Sequence, residues 1–134
     1  MKSKIISQSN NHTKRYLGQH LLVDYYDCES IYQSYHEIEK QLNKAIADCG
    51  GTIVKSTFHE FSPYGVTGVV VIAESHVALH TWPENGIACL DIFSCSLSLE
   101  LNKLVENISE IFQAHHFQKR LNYRGDLQLN FEFF

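Results

Sequence analysis

The spacing of apolar residues changes several times along the chain, and each change predicts a new element. From 19 to 26, Leu21, Val23 and Tyr25 recur with a period of two, which puts them on one face of a strand. Ile31, Tyr35, Ile38, Leu42 and Ala45 then recur at intervals of three and four. Ser30 with Gln33 offers a capping box before this run and Gly50-Gly51 ends it, so the pattern predicts a helix of about five turns. Short runs rich in Val, Ile and Thr follow at 52–58, at 66–73 after a turn at Pro63, at 76–82 and at 87–94, and these read as strands. Leu101, Leu104, Val105, Ile108, Ile111 and Phe112 form a helical stripe that Ser96 or Ser98 could cap. In the last ten residues Leu127, Leu129, Phe131 and Phe133 alternate, which predicts a final strand laid into a sheet. The order β-α-β-β-β-β-α-β predicts an α+β fold, one mainly antiparallel sheet covered on one face by two helices.

Residues 1–16 are polar apart from Ile5 and Ile6 and read as a flexible N-terminal arm. From 17 to 134 no Pro-, Gly- or Ser-rich linker and no repeat divides the chain, so a single domain is expected. A length of 134 residues with 44% hydrophobic content suits one core, and a chain this short gains from building its site between two copies. The formal charge of -4, with eleven Lys and Arg scattered along the chain, excludes the basic footprint of a nucleic-acid surface. Neither a signal-peptide core nor a bilayer-spanning run occurs, so no membrane association and a cytoplasmic location are expected. Cys28, Cys49, Cys89 and Cys95 lack the C-x2-C pairing of a zinc site, and a disulfide framework is not expected in that compartment.

Residues 61–96, FSPYGVTGVVVIAESHVALHTWPENGIACLDIFSCS, pack hydroxyl, imidazole, carboxylate and thiol groups into apolar strands. Desolvating such groups is costly unless they find partners, so several together mark a candidate site. Singly, each has an ordinary structural role open to it: Ser75 as a turn residue, His80 as a satisfied core histidine, Cys95 as a small buried hydrophobe. His76 and His80, four apart, could share a strand face and with Cys89 or Cys95 chelate zinc, but no second ligand pair completes such a site, and no metal is expected.

The combination is more specific. GVTGVVVIAESH, HTWPE and DIFSCS, in that order and spacing, with Gly18-Gln19-His20-Leu21-Leu22 before them and Arg124-Gly125 after, resemble the bacterial and archaeal S-adenosylmethionine decarboxylases. In that family the segments have the form GVSGVVVISESH, HTWPE and D-x-(F/Y)-T-C-G. The resemblance implies a proenzyme that cuts itself between Glu74 and Ser75 into a β chain, 1–74, and an α chain, 75–134, which stay packed together. Ser75 becomes a pyruvoyl group, the electron sink needed to decarboxylate an α-amino acid, and no Gly-rich phosphate cradle suggests pyridoxal phosphate instead. By the same resemblance His80 drives processing as acid or base and Thr67 stands where the family has an assisting serine. Cys95 returns a proton to the substrate's α carbon, a task for which a thiol of pKa about 8.5 is suited. Phe61 stacks on adenine, Glu84 holds the ribose hydroxyls and Trp82 shapes the same pocket. The implied activity converts S-adenosylmethionine to the aminopropyl donor of polyamine (spermidine) synthesis, in an (αβ)2 homodimer with the site near the interface. Asn85, Ile87 and Ser96 depart from the family boxes and Thr67 replaces serine. Two alternatives follow: a pyruvoyl-dependent decarboxylase of arginine or ornithine, and a partner subunit that fails to process.

Overall fold

The computed structural model describes residues 15–129. Among the described residues six strands and two helices follow one another as β1 (Tyr16–Cys28), α1 (Tyr35–Asp48), β2 (Ile53–Glu60), β3 (Val66–Ile72), β4 (Ser75–Trp82), β5 (Ile87–Ser94), α2 (Leu101–Phe112) and β6 (Ala114–Asp126), with a 3-10 turn at Pro83–Asn85. The strands form one sheet in the order β2-β3-β4-β5-β1-β6, and every adjacent pair is antiparallel. This is the α+β fold expected from the element order. Among the described residues no helix is long and apolar enough to cross a membrane.

Alternation along the strands separates two faces. Leu21, Val23 and Tyr25, Val66, Val70 and Ile72, Val77 and Leu79, and Ala88, Leu90 and Ile92 are all buried. They form the core with Ile38, Leu42 and Ile46 of α1 and Leu104, Val105, Ile108 and Phe112 of α2. The intervening residues, among them Thr67, His76, His80, Cys89, Asp91, Phe93, His20 and Asp24, are only partly buried and look out from the opposite, open face. Gly68, on the helix side of β3, leaves room for the Phe58 ring of β2; a Cβ there would come within 2.1 Å of it.

Several element ends differ from the sequence pattern, each for a local reason. β1 runs well beyond 19–26, because it pairs with β6 from Tyr16 to Cys28. Arg15 and Tyr16, placed in the arm by composition, are tied to that strand: Arg15 makes a bidentate pair with Asp126 and the Tyr16 ring stacks on Tyr123 at 4.9 Å. Residues 1–14 lie outside the described residues. Helix α1 starts at Tyr35 and spans about four turns, with Ser34 rather than Ser30 as its cap, accepting from the Glu37 N–H. The segment before it is held otherwise, since Ser30 N–H donates to the Phe112 carbonyl and Gln33 to the Ile111 carbonyl, closing the end of α2. Ile31 therefore enters the core from a loop.

Ser96 and Ser98 do not cap α2, whose N-cap is Glu100 without a side-chain bond; the two hydroxyls pair with each other at 2.7 Å. The final strand lies earlier than the alternation at 127–133 suggests. β6 is polar and exposed along most of its length, and pairing with β1 rather than burial holds it. Leu127 and Leu129 follow its end, and Phe131 and Phe133 lie outside the described residues.

A buried hydroxyl also ties the sheet to α2: Tyr25, fully buried on β1, donates to the Val105 carbonyl at 2.8 Å. Burial pushes its phenol pKa up, so it remains a donor throughout the accessible pH range. Tyr25→Phe leaves that helical carbonyl short of a partner and should cost about 1 kcal/mol, read as a lower midpoint in urea unfolding with an unchanged slope.

Candidate active site

The candidate site residues collect at two ends of β4. At its start the chain turns tightly from β3 through Ala73 and Glu74, and Ser75 enters the strand with φ at 145°. That region disfavours any residue with a side chain, so the backbone at Ser75 is strained. Glu74 is buried, and its carboxylate accepts from the Thr52 N–H at 3.0 Å. Its main-chain carbonyl accepts twice from one residue, from the Cys95 N–H at 3.0 Å and the Cys95 thiol at 3.3 Å. Two donors therefore converge on the carbonyl next to Ser75. Ser75 pairs across the sheet with Ser94, and Ser94 Oγ anchors the following loop by donating to the Ser96 carbonyl. Ser96 spends its own hydroxyl on the Ser98 N–H, so the departure from glycine here serves the loop that carries Cys95.

At the far end, Thr67 and His80 are register partners on β3 and β4, with Thr67 Oγ1 3.1 Å from His80 Nδ1. They line a cleft of ≈ 350 Å³ with Phe61, Tyr64, Trp82 and Glu84. Phe61 is half exposed, its ring edge-on to His59 at 4.6 Å, while Trp82 lies 6.1 Å from His80. Gly65, with φ at 109°, makes the turn that presents Phe61 and Tyr64. Thr81 shares the cleft wall, but its hydroxyl is taken by the Val66 N–H. Ile87, opposite Trp82 in the register, and Asn85 in the adjoining turn stand beside this cleft. Tyr64, Gly65 and Thr81 are the lining residues that sequence reasoning missed; the place of Tyr64 between Pro63 and Gly65 marks only a turn.

The structure thus joins Glu74, Ser75 and Cys95 in one group, and Phe61, Thr67, His80, Trp82 and Glu84 in another. It does not join the two. Ser75 and His80 stand five positions apart on β4, about 17 Å, and the odd spacing places their side chains on alternate faces. The zinc alternative is not assembled either. His76 faces Phe93 and His80 faces Cys89 across β4 and β5, and among the described residues no three His, Cys, Asp or Glu gather as a metal site. Burial and the nearby Asp24 push the Cys89 thiol up to about 12, which leaves it protonated and unreactive.

A family model described as S-adenosylmethionine decarboxylase matches residues 19–125. The chain belongs to the S-adenosylmethionine decarboxylase family. It is 43% identical over 99 residues to the S-adenosylmethionine decarboxylase proenzyme of Thermotoga maritima, covering 73% of this chain and 76% of that one. To the proenzyme of Methanococcus aeolicus it is 46% identical over 104 residues, covering 77% and 89%. The crystal structure of the adenosylmethionine decarboxylase from Aquifex aeolicus superposes with a TM-score of 0.76 at 30% identity, over 87% of this chain and 97% of that one. The Trypanosoma brucei AdoMetDC-delta26 monomer shares the fold, at a TM-score of 0.55.

One further group lies on the open face of the sheet. His76 lies stacked 5.9 Å from Phe93 and edge-on 6.3 Å from His20. Burial lowers its pKa from the ordinary 6.5, and His20 lowers it further against the weaker pull of Asp91. The unfolded chain therefore takes up this proton before the folded one does. The stabilisation is complete above pH 6.5 and is lost as pH falls below that value toward the depressed folded pKa. Urea midpoints at pH 7.5 and 5.5 should fall more steeply in the parent protein than in His76→Gln, which cannot titrate.

Proposed function

We propose that this chain is an S-adenosylmethionine decarboxylase proenzyme that cuts itself before Ser75, and that its site is completed by a second copy. The observation that carries the cleavage reading is the Glu74 carbonyl, held by two donors from Cys95 beside a serine with positive φ. In the reaction, Ser75 Oγ adds to the Glu74 carbonyl carbon while negative charge gathers on the oxygen that Cys95 already contacts. Donors placed before charge develops lower the barrier without reorganising. The Glu74–Ser75 amide nitrogen then leaves and an ester links the two residues. Loss of the Ser75 α proton releases the Glu74 carboxylate, and the dehydroalanine left at position 75 takes up water and releases ammonia.

The resulting pyruvoyl carbonyl supplies the electron sink for decarboxylation, and the residues around Ser75 fit its formation. Cys95, at the same end of β4, is the proton donor to the substrate's α carbon. Phe61 and Trp82 offer faces to an adenine and a sulfonium, and Glu84 accepts from ribose hydroxyls. Thr67 retains the hydroxyl expected of the family serine and hydrogen-bonds His80, which supports a processing chain rather than a silent partner. An aromatic cleft beside a carboxylate favours a nucleoside over arginine or ornithine.

The separation of about 17 Å along β4 is the reason for the second copy. His80 cannot reach the Ser75 of its own strand, so a symmetric dimer lets His80, Thr67, Phe61 and Glu84 of one chain serve Ser75 and Cys95 of the other, as an (αβ)2 assembly after cleavage. In this reading the enzyme acts in the cytoplasm and supplies the aminopropyl donor for spermidine.

Intact-mass analysis should show two fragments divided at Ser75, and Ser75→Ala should remain whole. The processed protein should release carbon dioxide from S-adenosylmethionine and not from arginine or ornithine. The reverse preference would overturn the substrate while leaving the cleavage intact.

Complementation tests the shared site. His80→Ala alone should cleave at least tenfold more slowly, a loss in the range general acid–base groups contribute, about 10²-fold or more. Co-expressed with Ser75→Ala, the His80→Ala chain should be cut again, because the intact His80 of its partner serves its Ser75. Absence of rescue in a verified mixed dimer would place the whole site within one chain.

A further inference from the structure

Gly50-Gly51, which the sequence pattern marks only as the end of a helix, has a second use in the fold. Gly50 has φ at 90°, and a Cβ on it would come within 2.6 Å of the Ser98 carbonyl. A Cβ on Gly51 would collide with the Ile46 side chain of α1, and the Gly51 N–H donates to the Ile46 carbonyl at 2.9 Å. The chain therefore leaves α1 pressed between the helix end and the loop that follows Cys95. Thr52, next in the chain, bonds twice to the turn between β3 and β4. Its carbonyl accepts from the Ala73 N–H at 2.8 Å, and its N–H donates to Glu74 Oε1 at 3.0 Å.

Glu74 is an unusual residue for that place. Only 8% of it is exposed, and none of the ion pairs among the described residues includes it. Holding a carboxylate away from water without a cation costs free energy that one N–H recovers only in part. An apolar side chain would avoid that cost, so the length and the acceptor of this one point to a geometric task. The main chain shows what the task is. With Thr52 on its side chain, and the Cys95 N–H and thiol on its carbonyl at 3.0 and 3.3 Å, residue 74 is held on both sides of its α carbon. The Glu74–Ser75 peptide plane then has little freedom to turn.

We propose that the Glu74 side chain is a positioning residue for self-cleavage, holding in place the carbonyl that Ser75 attacks. The inference rests on the cleavage reading given above. Addition requires Ser75 Oγ to approach the Glu74 carbonyl carbon from one side of the peptide plane, and the strained φ of 145° at Ser75 relaxes once that plane can rotate. The bond to Thr52 opposes the rotation. Without it the Glu74 α carbon can swing, the two donors from Cys95 lose their aim at the developing negative charge, and the acyl shift slows. The carboxylate exchanges no proton with the reacting atoms and forms no bond to them; it acts through position alone.

Three replacements separate position from packing and from charge. Glu74→Gln keeps an oxygen that can accept from Thr52, Glu74→Met fills the same space with no such acceptor, and Glu74→Asp keeps the charge on a shorter arm. Each full-length chain is made by cell-free translation, and the uncut fraction is followed with time by denaturing electrophoresis. Met and Asp should slow the cut about tenfold or more, the scale of one hydrogen bond to a charged group, and Gln should recover most of the rate. Hydroxylamine, which cuts the ester left by the acyl shift, should not speed the slow variants, because the slowed step comes before the ester. Urea unfolding of the same variants with Ser75→Ala added shows that each chain folds; where Met does not, the contrast of Asp with Gln decides. Cleavage at the parent rate in Glu74→Met would reduce the side chain to packing and overturn the proposal. Rescue by hydroxylamine, or a fast Asp variant beside a slow Gln one, would overturn it as well. If the parent chain itself stays whole, the cleavage reading falls and this role falls with it.

Discussion

Strand β4 is held on both edges by antiparallel neighbours, and the geometry of the site depends on that register. β3 fixes its far end, where Thr67 meets His80, and β5 fixes its near end, where Ser75 meets Ser94. A slip of one residue would exchange the two faces along the whole strand. It would put His76 and His80 into the core and Val77 and Leu79 into the open. Burial of those two residues, with Ile92 and Leu90 opposite, therefore fixes where every polar group of β4 stands.

The same register explains how a strained backbone conformation at Ser75 can belong to a stable fold. The turn before Ser75 is pinned by the Glu74 carboxylate on Thr52 and by the Glu74 carbonyl on Cys95. Those contacts come from the start of β2 and the end of β5, so the turn is fixed from two sides while the chain between must adopt a positive φ. Strands on both sides of the Glu74–Ser75 bond share one sheet, and their hydrogen bonds and core contacts do not depend on that bond being intact. This is the condition for two fragments to remain one folded unit.

The open face shows a different division of labour. The helix face carries the apolar burial, which leaves the opposite face able to hold His20, His76, His80, Asp24 and Asp91 without the desolvation cost of a full core. Aromatic contacts order this face instead: Phe93 lies against His76, His20 and Arg124, and Trp82 lies against His80. Burial among these groups lowers the His76 pKa, and His20 lowers it further. A second copy placed against this face would meet groups already oriented.

Apolar periodicity determined the order of elements and the fold class, because it records which face of each element is buried. Local motifs marked Ser75, His80, Cys95 and the cleft residues, since their order and spacing are properties of the chain itself. The misplaced ends show what periodicity lacks. Ile31 keeps the helical spacing yet enters the core from a loop that closes α2, and β6 carries little apolar alternation because pairing with β1 holds it. Only the tertiary structure decided that Ser75 and His80, five residues apart, stand at opposite ends of β4, and that Gly18, His20, Phe93 and Arg124 stand together on the open face. Contacts between strands distant in sequence depend on register across the sheet, and register is set by all six strands packing at once.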